Sequence, residues 1–235
     1  NDAFDTAGES KSYQTIADLD AGNFKKTTLF IMAESGAGKT VLSKKIISIL
    51  QSVALKKMEQ RWDYCLTASN NAFDEYNGQD IIFLDDIRGD SLSVSDWLKL
   101  LDPYTISPIS ARYHNKMGSA KAIIITSTKT PSEFFSIAKG NFHEDLGQFF
   151  RRIDLLINIE DDKFHLSKSE KAPPASTQFP YVIKPPSHYF HFDGTYHKNK
   201  ALDMVTKTVI RNMQLNKKKP VTQPAKANVT DHLKK

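Results

Sequence analysis

Five short apolar runs punctuate the chain, and their spacing gives the first structural reading. Thr27–Met32 (TTLFIM), residues 61–68 (RWDYCLTA), Ile81–Leu84 (IIFL), Ala122–Thr126 (AIIIT) and Ile153–Asn158 (IDLLIN) all have strand length. The uninterrupted runs suit strands buried on both faces of a parallel sheet. After the first run the period changes. Leu42, Ile46, Ile49 and Leu50 recur at helical spacing while Lys44, Lys45, Ser48 and Gln51 fall between them, which predicts a helix from Thr40 with one face on the sheet. Asp96–Leu101 (DWLKLL) is a further helix signal. Strands alternating with helices predict an α/β fold with three layers, α/β/α, around a central, mainly parallel five-stranded sheet.

The first strand–helix junction carries the strongest chemical signal. Phe30–Thr40 reads FIMAESGAGKT, the closing half of the phosphate-binding pattern G-x-x-x-x-G-K-[ST]. In that pattern backbone amides wrap the phosphates, the lysine reaches the β and γ phosphates and the hydroxyl meets Mg²⁺. Ala33, Glu34, Ser35, Gly36, Ala37, Gly38, Lys39, Thr40 and Val41 are the candidate ATP-binding residues. Ala33 stands where the pattern has its first glycine and gives up that residue's freedom at positive φ. Unpaired amides and the dipole at the start of the helix favour an anion there.

Asp85 and Asp86 follow the third run at its C-terminal end, where open α/β sheets bind ligands. This is a Walker B pattern. It makes Thr40 and Asp85 the candidate metal residues and Asp86 the better candidate to position or deprotonate water. No Asn-Lys-x-Asp run, which reads guanine, occurs in the chain, so ATP with Mg²⁺ is the expected cofactor pair.

Composition narrows the setting. At 235 residues and 40% hydrophobic content the chain has material for one substantial core, and no apolar run approaches membrane-span length. The start, NDAFDTAGESK, lacks the regions of a signal peptide, which predicts a cytosolic or nuclear protein, and its first residue, Asn1, is consistent with a fragment of something longer. Cys65 alone gives no disulfide framework and reads as a buried strand position. The net charge of +5 is concentrated late. From Asp161 onward there are fourteen Lys and Arg against six Asp and Glu, together with seven of the ten prolines. That stretch reads as a loosely structured arm, either polyanion-binding or simply solvated.

Taken in order, the motifs resemble the superfamily 3 helicase domain of Rep replication initiators from circular single-stranded DNA viruses and related rolling-circle plasmids, over about residues 25–160. NAFDEYNGQDIIFLDDIRG resembles the family's lead into a double-aspartate Walker B, ITSTKTPSEFF (125–135) its Ile-Thr-Ser-Asn and Thr-Pro segment, and QFFRRIDLL (148–156) its aromatic-Arg-Arg-Ile segment. The resemblance implies a β-hairpin insertion at residues 109–121, ISARYHNKMGSAK, that grips single-stranded DNA, with Lys116 at the tip and Arg112, His114 and Lys121 nearby. It implies a sensor at Thr128, where the family usually has asparagine, with Ser127 as an alternative. It also implies a hexameric ring in which Arg151 or Arg152 completes the neighbouring subunit's site, unless the pair is an intramolecular anchor.

The expected organisation is an N-terminal segment, 1–24, contributing to a helical collar, the ATPase domain, 25–160, and the basic tail, 161–235. YVIK (181–184) and HYFHFD (188–193) look like parts of a nicking domain but lie in the wrong place and order. A metal set of His188, His191, Asp193 and His197 is weaker than plain aromatic packing. The expected activity is that of an ATP-dependent replicative DNA helicase, in a bacterial cytoplasm or a host nucleus. A nucleotide-gated loader or assembly scaffold, and a P-loop kinase, are the rivals.

Overall fold

The computed structural model describes residues 13–67, 73, 75–106, 108–110, 115–117, 119–138, 140, 144–173 and 186–213. Residues 13–20 form helix α1, with Thr15 and Leu19 turned into the protein. Strand β1 (Thr27–Met32) leads to helix α2 (Lys39–Met58), and β2 (Tyr64–Thr67), β3 (Ile81–Leu84), α3 (Val94–Leu101) and a hairpin of β4 (Pro108–Ser110) and β5 (Asn115–Met117) follow. Then come β6 (Ala122–Ser127), α4 (Pro131–Ser136), α5 (Gly147–Phe150), β7 (Leu155–Glu160), β8 (Lys163–Lys171), β9 (His188–Tyr196) and α6 (Lys198–Met213).

All five expected strands pair in parallel, in the spatial order β2-β3-β6-β1-β7. Their apolar runs are continuous because both faces are covered. Leu29 and Ile31 of β1 pack with Leu42, Ile46 and Leu50 of α2, while Phe30, between them, enters the core on the other face with α3, α4 and α5. That second core is aromatic. Trp97 meets Phe134 edge-on at 5.4 Å and Phe135 stacks on Phe149 at 4.4 Å, so three short helices are locked together and onto the sheet. Thr130 and Glu133 form a reciprocal capping box that fixes where α4 begins.

The boundary expected at residue 160 is not observed. The sheet has seven strands among the described residues, because β8 and β9 add to β7 as antiparallel neighbours, and α6 then packs beside α2. Phe164 and Leu166 of β8 and Ala201, Leu202, Val205 and Val209 of α6 close the α2-side core. The end of α6 is bolted to the start of β1. Asn212 donates to the Thr27 hydroxyl at 2.8 Å, and its carbonyl accepts from the Lys25 amide at 3.0 Å. Asp154 joins the same corner, accepting from the Lys25 ammonium at 2.6 Å and the Thr28 amide at 3.0 Å. Residues 163–171 and 188–213 are therefore part of the core domain, not a tail.

Candidate nucleotide site

The loop after β1 closes around its own lysine. The Lys39 ammonium donates to the carbonyls of Ala33 at 2.8 Å and Glu34 at 2.9 Å, and the side chain is largely buried. Gly36 (φ 80°) and Gly38 (φ 88°) hold the left-handed turns that shape the loop, and neither has an atom within 4 Å of where a Cβ would stand. Ala33 does not share that conformation, since it is absent from the positive-φ residues and its amide extends the β1–β6 ladder to the Ser127 carbonyl at 3.3 Å. Glycine is dispensable there because the backbone does not take a positive φ.

Helix α2 begins without a side-chain cap and with no acidic residue in its first turn. Its leading amides and positive dipole end face the concave side of the loop, which fits a phosphate chain. Thr40 of that first turn donates to the Asp85 carboxylate, 2.9 Å from Oδ1 and 3.0 Å from Oδ2. The two candidate metal residues therefore converge. Oxygen donors of this kind suit Mg²⁺, and the adjacent lysine and helix start suit the triphosphate that would accompany it. Asp86 is solvent-exposed beside Asp85, in a left-handed backbone conformation (φ 49°).

A residue that sequence reading passed over completes this group. Thr126 of β6 donates to Asp85 Oδ1 at 2.8 Å and accepts from the Asp86 amide at 2.7 Å. The parallel register offered a signal, since Leu84 lies beside Ile125 and the next residues of the two strands must then be neighbours. The expected sensor positions lie just beyond. Thr128 is exposed, whereas Ser127 is buried with its hydroxyl accepting from the Lys129 amide at 3.0 Å.

The two arginines have different surroundings. Arg152 donates to the Gln148 carbonyl at 2.6 Å and pairs with Asp102 at 3.4 Å, bracketing α5 to the end of α3. Burial lowers its pKa, with the Arg151 charge acting in the same direction. Burial raises the Asp102 carboxyl, but hydrogen bonds from Tyr104 and Thr105 and the charges of Arg152 and Lys26 outweigh this and hold it below its ordinary value. Arg151 is exposed. It lies beside His188, whose pKa is lowered by burial and by that guanidinium. Both arginines precede β7 at the sheet edge opposite the loop, because β7 runs parallel to β1. A six-residue strand separates the edges by about 20 Å.

The expected hairpin is present as the antiparallel pair β4 and β5. Lys116 pairs with Ile109 inside the two-stranded ladder, so it lies on the returning strand β5. Arg112 and His114 lie outside the described residues. Lys121, expected near the DNA, is engaged within the chain. Its ammonium pairs with Asp80 at 2.8 Å, reaches Gln60 at 3.3 Å and sits 5.4 Å from the centre of the Trp62 ring, a bracket at the N-terminal end of the sheet. His188 and His191 point to opposite faces of β9, as an odd separation along a regular strand requires, and Asp193 pairs with Lys168 at 2.7 Å. The conceivable metal set is not brought together. YVIK lies outside the described residues. Among those residues no helix is long and apolar enough to cross a membrane.

A loop closed around its lysine, followed by a helix start that meets a carboxylate at the end of a nearby parallel strand, defines an α/β domain of the P-loop type. Residues 29–129 match the model of the RNA helicase family. The chain is 34% identical over 169 residues to a replication protein of Onion yellows phytoplasma (strain OY-M), covering 71% of this chain and 42% of that protein. It is 33% identical over 94 residues to a replication-associated protein of goose circovirus, covering 39% and 29%. Residues 29–129 form a helicase-family domain of the superfamily 3 type, and over the matched residues the chain is similar to Rep-type replication proteins. It spans less than half the length of either relative.

Proposed function

We propose that this chain is the ATP- and Mg²⁺-dependent DNA helicase domain of a Rep initiator, acting as a homo-oligomeric hexameric ring on single-stranded DNA during rolling-circle replication. The observation that carries the reading is the 2.9 Å contact between Thr40 and Asp85 beside the Lys39 loop, in a chain related to replication proteins. Bound Mg²⁺ would supply neutralisation of the phosphate charge, with Thr40 and Asp85 holding it. Lys39 would exchange the carbonyls of Ala33 and Glu34 for the β and γ phosphates. Asp86 would orient the attacking water and accept its proton, with Thr128 beside the terminal phosphate.

Arg151 is the candidate that completes a neighbouring site, since Arg152 is committed within its own subunit and neither arginine is near its own loop. Lys116 and the hairpin turn would track the DNA phosphates, a contact that holds the backbone without reading bases. The test is ATP hydrolysis with and without single-stranded DNA, strand separation on forked DNA and forked RNA, and native mass with and without nucleotide. Lys116→Ala should keep hydrolysis and lose unwinding. Hydrolysis indifferent to DNA, with no strand separation on either fork, would contradict the proposal.

A further inference from the structure

Thr126 is fully buried near the end of β6, after four apolar residues, where valine would fill the same volume without dehydrating a hydroxyl. The hydroxyl's one proton goes to Asp85 Oδ1 at 2.8 Å, and a lone pair receives the Asp86 amide at 2.7 Å. Both bonds form at once. Asp86 holds φ 49°, a left-handed conformation that carries a cost for a residue with a Cβ, though a smaller one for aspartate than for most. The Asp86 amide bond to Thr126 helps to hold it. On the other side, the Asp85 carboxylate accepts from Thr40 through both oxygens, so one carboxylate is held between hydroxyls of α2 and β6.

We propose that Thr126 is a positioning residue for both aspartates, aiming the Asp85 carboxylate at Thr40 and the metal while fixing the left-handed turn that presents the Asp86 carboxylate. The inference rests on the ATPase reading above and assigns this hydroxyl a role in it. A hydrogen bond to a carboxylate is worth about tenfold or more in an equilibrium constant. Removing it leaves the Asp85 carboxylate held from the Thr40 side alone among the described residues and takes the Thr126 bond from the Asp86 turn. Metal-free nucleotide contacts, which belong to the loop and to Lys39, do not involve Thr126.

The experiment measures binding of a fluorescent ATP analogue to the full chain across a Mg²⁺ titration, alongside kcat and KM, for wild type, Thr126→Val and Thr126→Ser. Thr126→Val should bind the metal-free analogue as wild type does, need about tenfold more Mg²⁺ for the metal-dependent tightening, and lose kcat more than KM. Thr126→Ser, which keeps the hydroxyl, should restore both. A Thr126→Val protein with wild-type Mg²⁺ dependence and kcat overturns the inference, as does equal loss in both variants or loss of metal-free binding. Wild type that shows no Mg²⁺-dependent binding overturns the ATPase reading as well, which separates the two failures.

Discussion

Replacing each arginine of the pair by alanine separates two roles that sequence alone leaves merged. Arg152 is largely buried and makes two side-chain bonds, to the Gln148 carbonyl and to Asp102, so Arg152→Ala should cost about 2 kcal/mol of stability. In a domain of this size that lowers the melting temperature by about 4–8 °C. Arg151 is exposed, and Arg151→Ala should leave melting within about 1–2 °C of wild type. Its effect should instead fall on turnover. An arginine supplied to a phosphoryl-transfer site is worth about 10³–10⁵ in rate. The loop is about 20 Å away across the sheet, so the loss can arise only between subunits.

Mixing makes that geometry measurable. Lys39→Ala and Arg151→Ala chains should each be nearly inactive. When co-assembled in equal amounts, a site with its own lysine and a neighbour's arginine forms by chance in about one quarter of interfaces of a head-to-tail ring. Steady-state ATPase of the mixture should therefore recover to as much as about one quarter of wild type. Full activity in Arg151→Ala, or a co-assembled mixture that stays inactive, would refute the assignment.

Further outcomes follow from buried Lys26 and from the loop after β1. Lys26, pushed down to about 8 by burial, has its ammonium donating to the Leu100 carbonyl at 3.2 Å, with Asp102 opposing the shift and Arg152 adding to it. Between pH 8 and the unfolded value of 10.5 the unfolded chain holds a proton that the folded chain has lost, so this group makes stability rise with pH across that window. Below it the penalty is complete, roughly 3 kcal/mol. Lys26→Met should then be about 2 kcal/mol more stable in urea at pH 7, after allowing for the lost hydrogen bond, with the advantage shrinking towards pH 10. In the loop, Gly38→Ala should cost about 1–2 kcal/mol because the residue is left-handed, and should weaken ATP binding, whereas Ala33→Gly should bring no gain in affinity.

The parallel core was legible because burial on both faces leaves an unmixed apolar signature, as in Ile81–Leu84 and Ala122–Ile125. The meeting of Thr40 with Asp85 beside Lys39 was legible because both motifs set particular side chains at fixed spacing. The β8–β9 ribbon was not, since β8 has one covered face and carries only Phe164 and Leu166 as buried apolar residues among lysines and serines. Charge and proline content then suggested an arm. Helix α6 did leave a trace in Ala201, Leu202, Val205 and Val209, at helical spacing, which the basic composition overshadowed. Lys121 was misplaced for a related reason. A lysine beside a basic turn reads as a DNA contact until Asp80, seventeen residues beyond Asp63 on a separate segment, is folded against it. Thr126 was hidden because a threonine in a strand is ordinary until its neighbour is an aspartate.

The most direct measurement is calorimetric titration of ATP, with and without Mg²⁺, into wild type, Lys39→Ala and Asp85→Asn. The account predicts that Mg²⁺ tightens binding to wild type, that Asp85→Asn keeps metal-free binding but loses the tightening, and that Lys39→Ala loses both. An Asp85→Asn protein that responds to Mg²⁺ as wild type does, or a Lys39→Ala protein that binds ATP unimpaired, would contradict a single magnesium triphosphate site built from these residues.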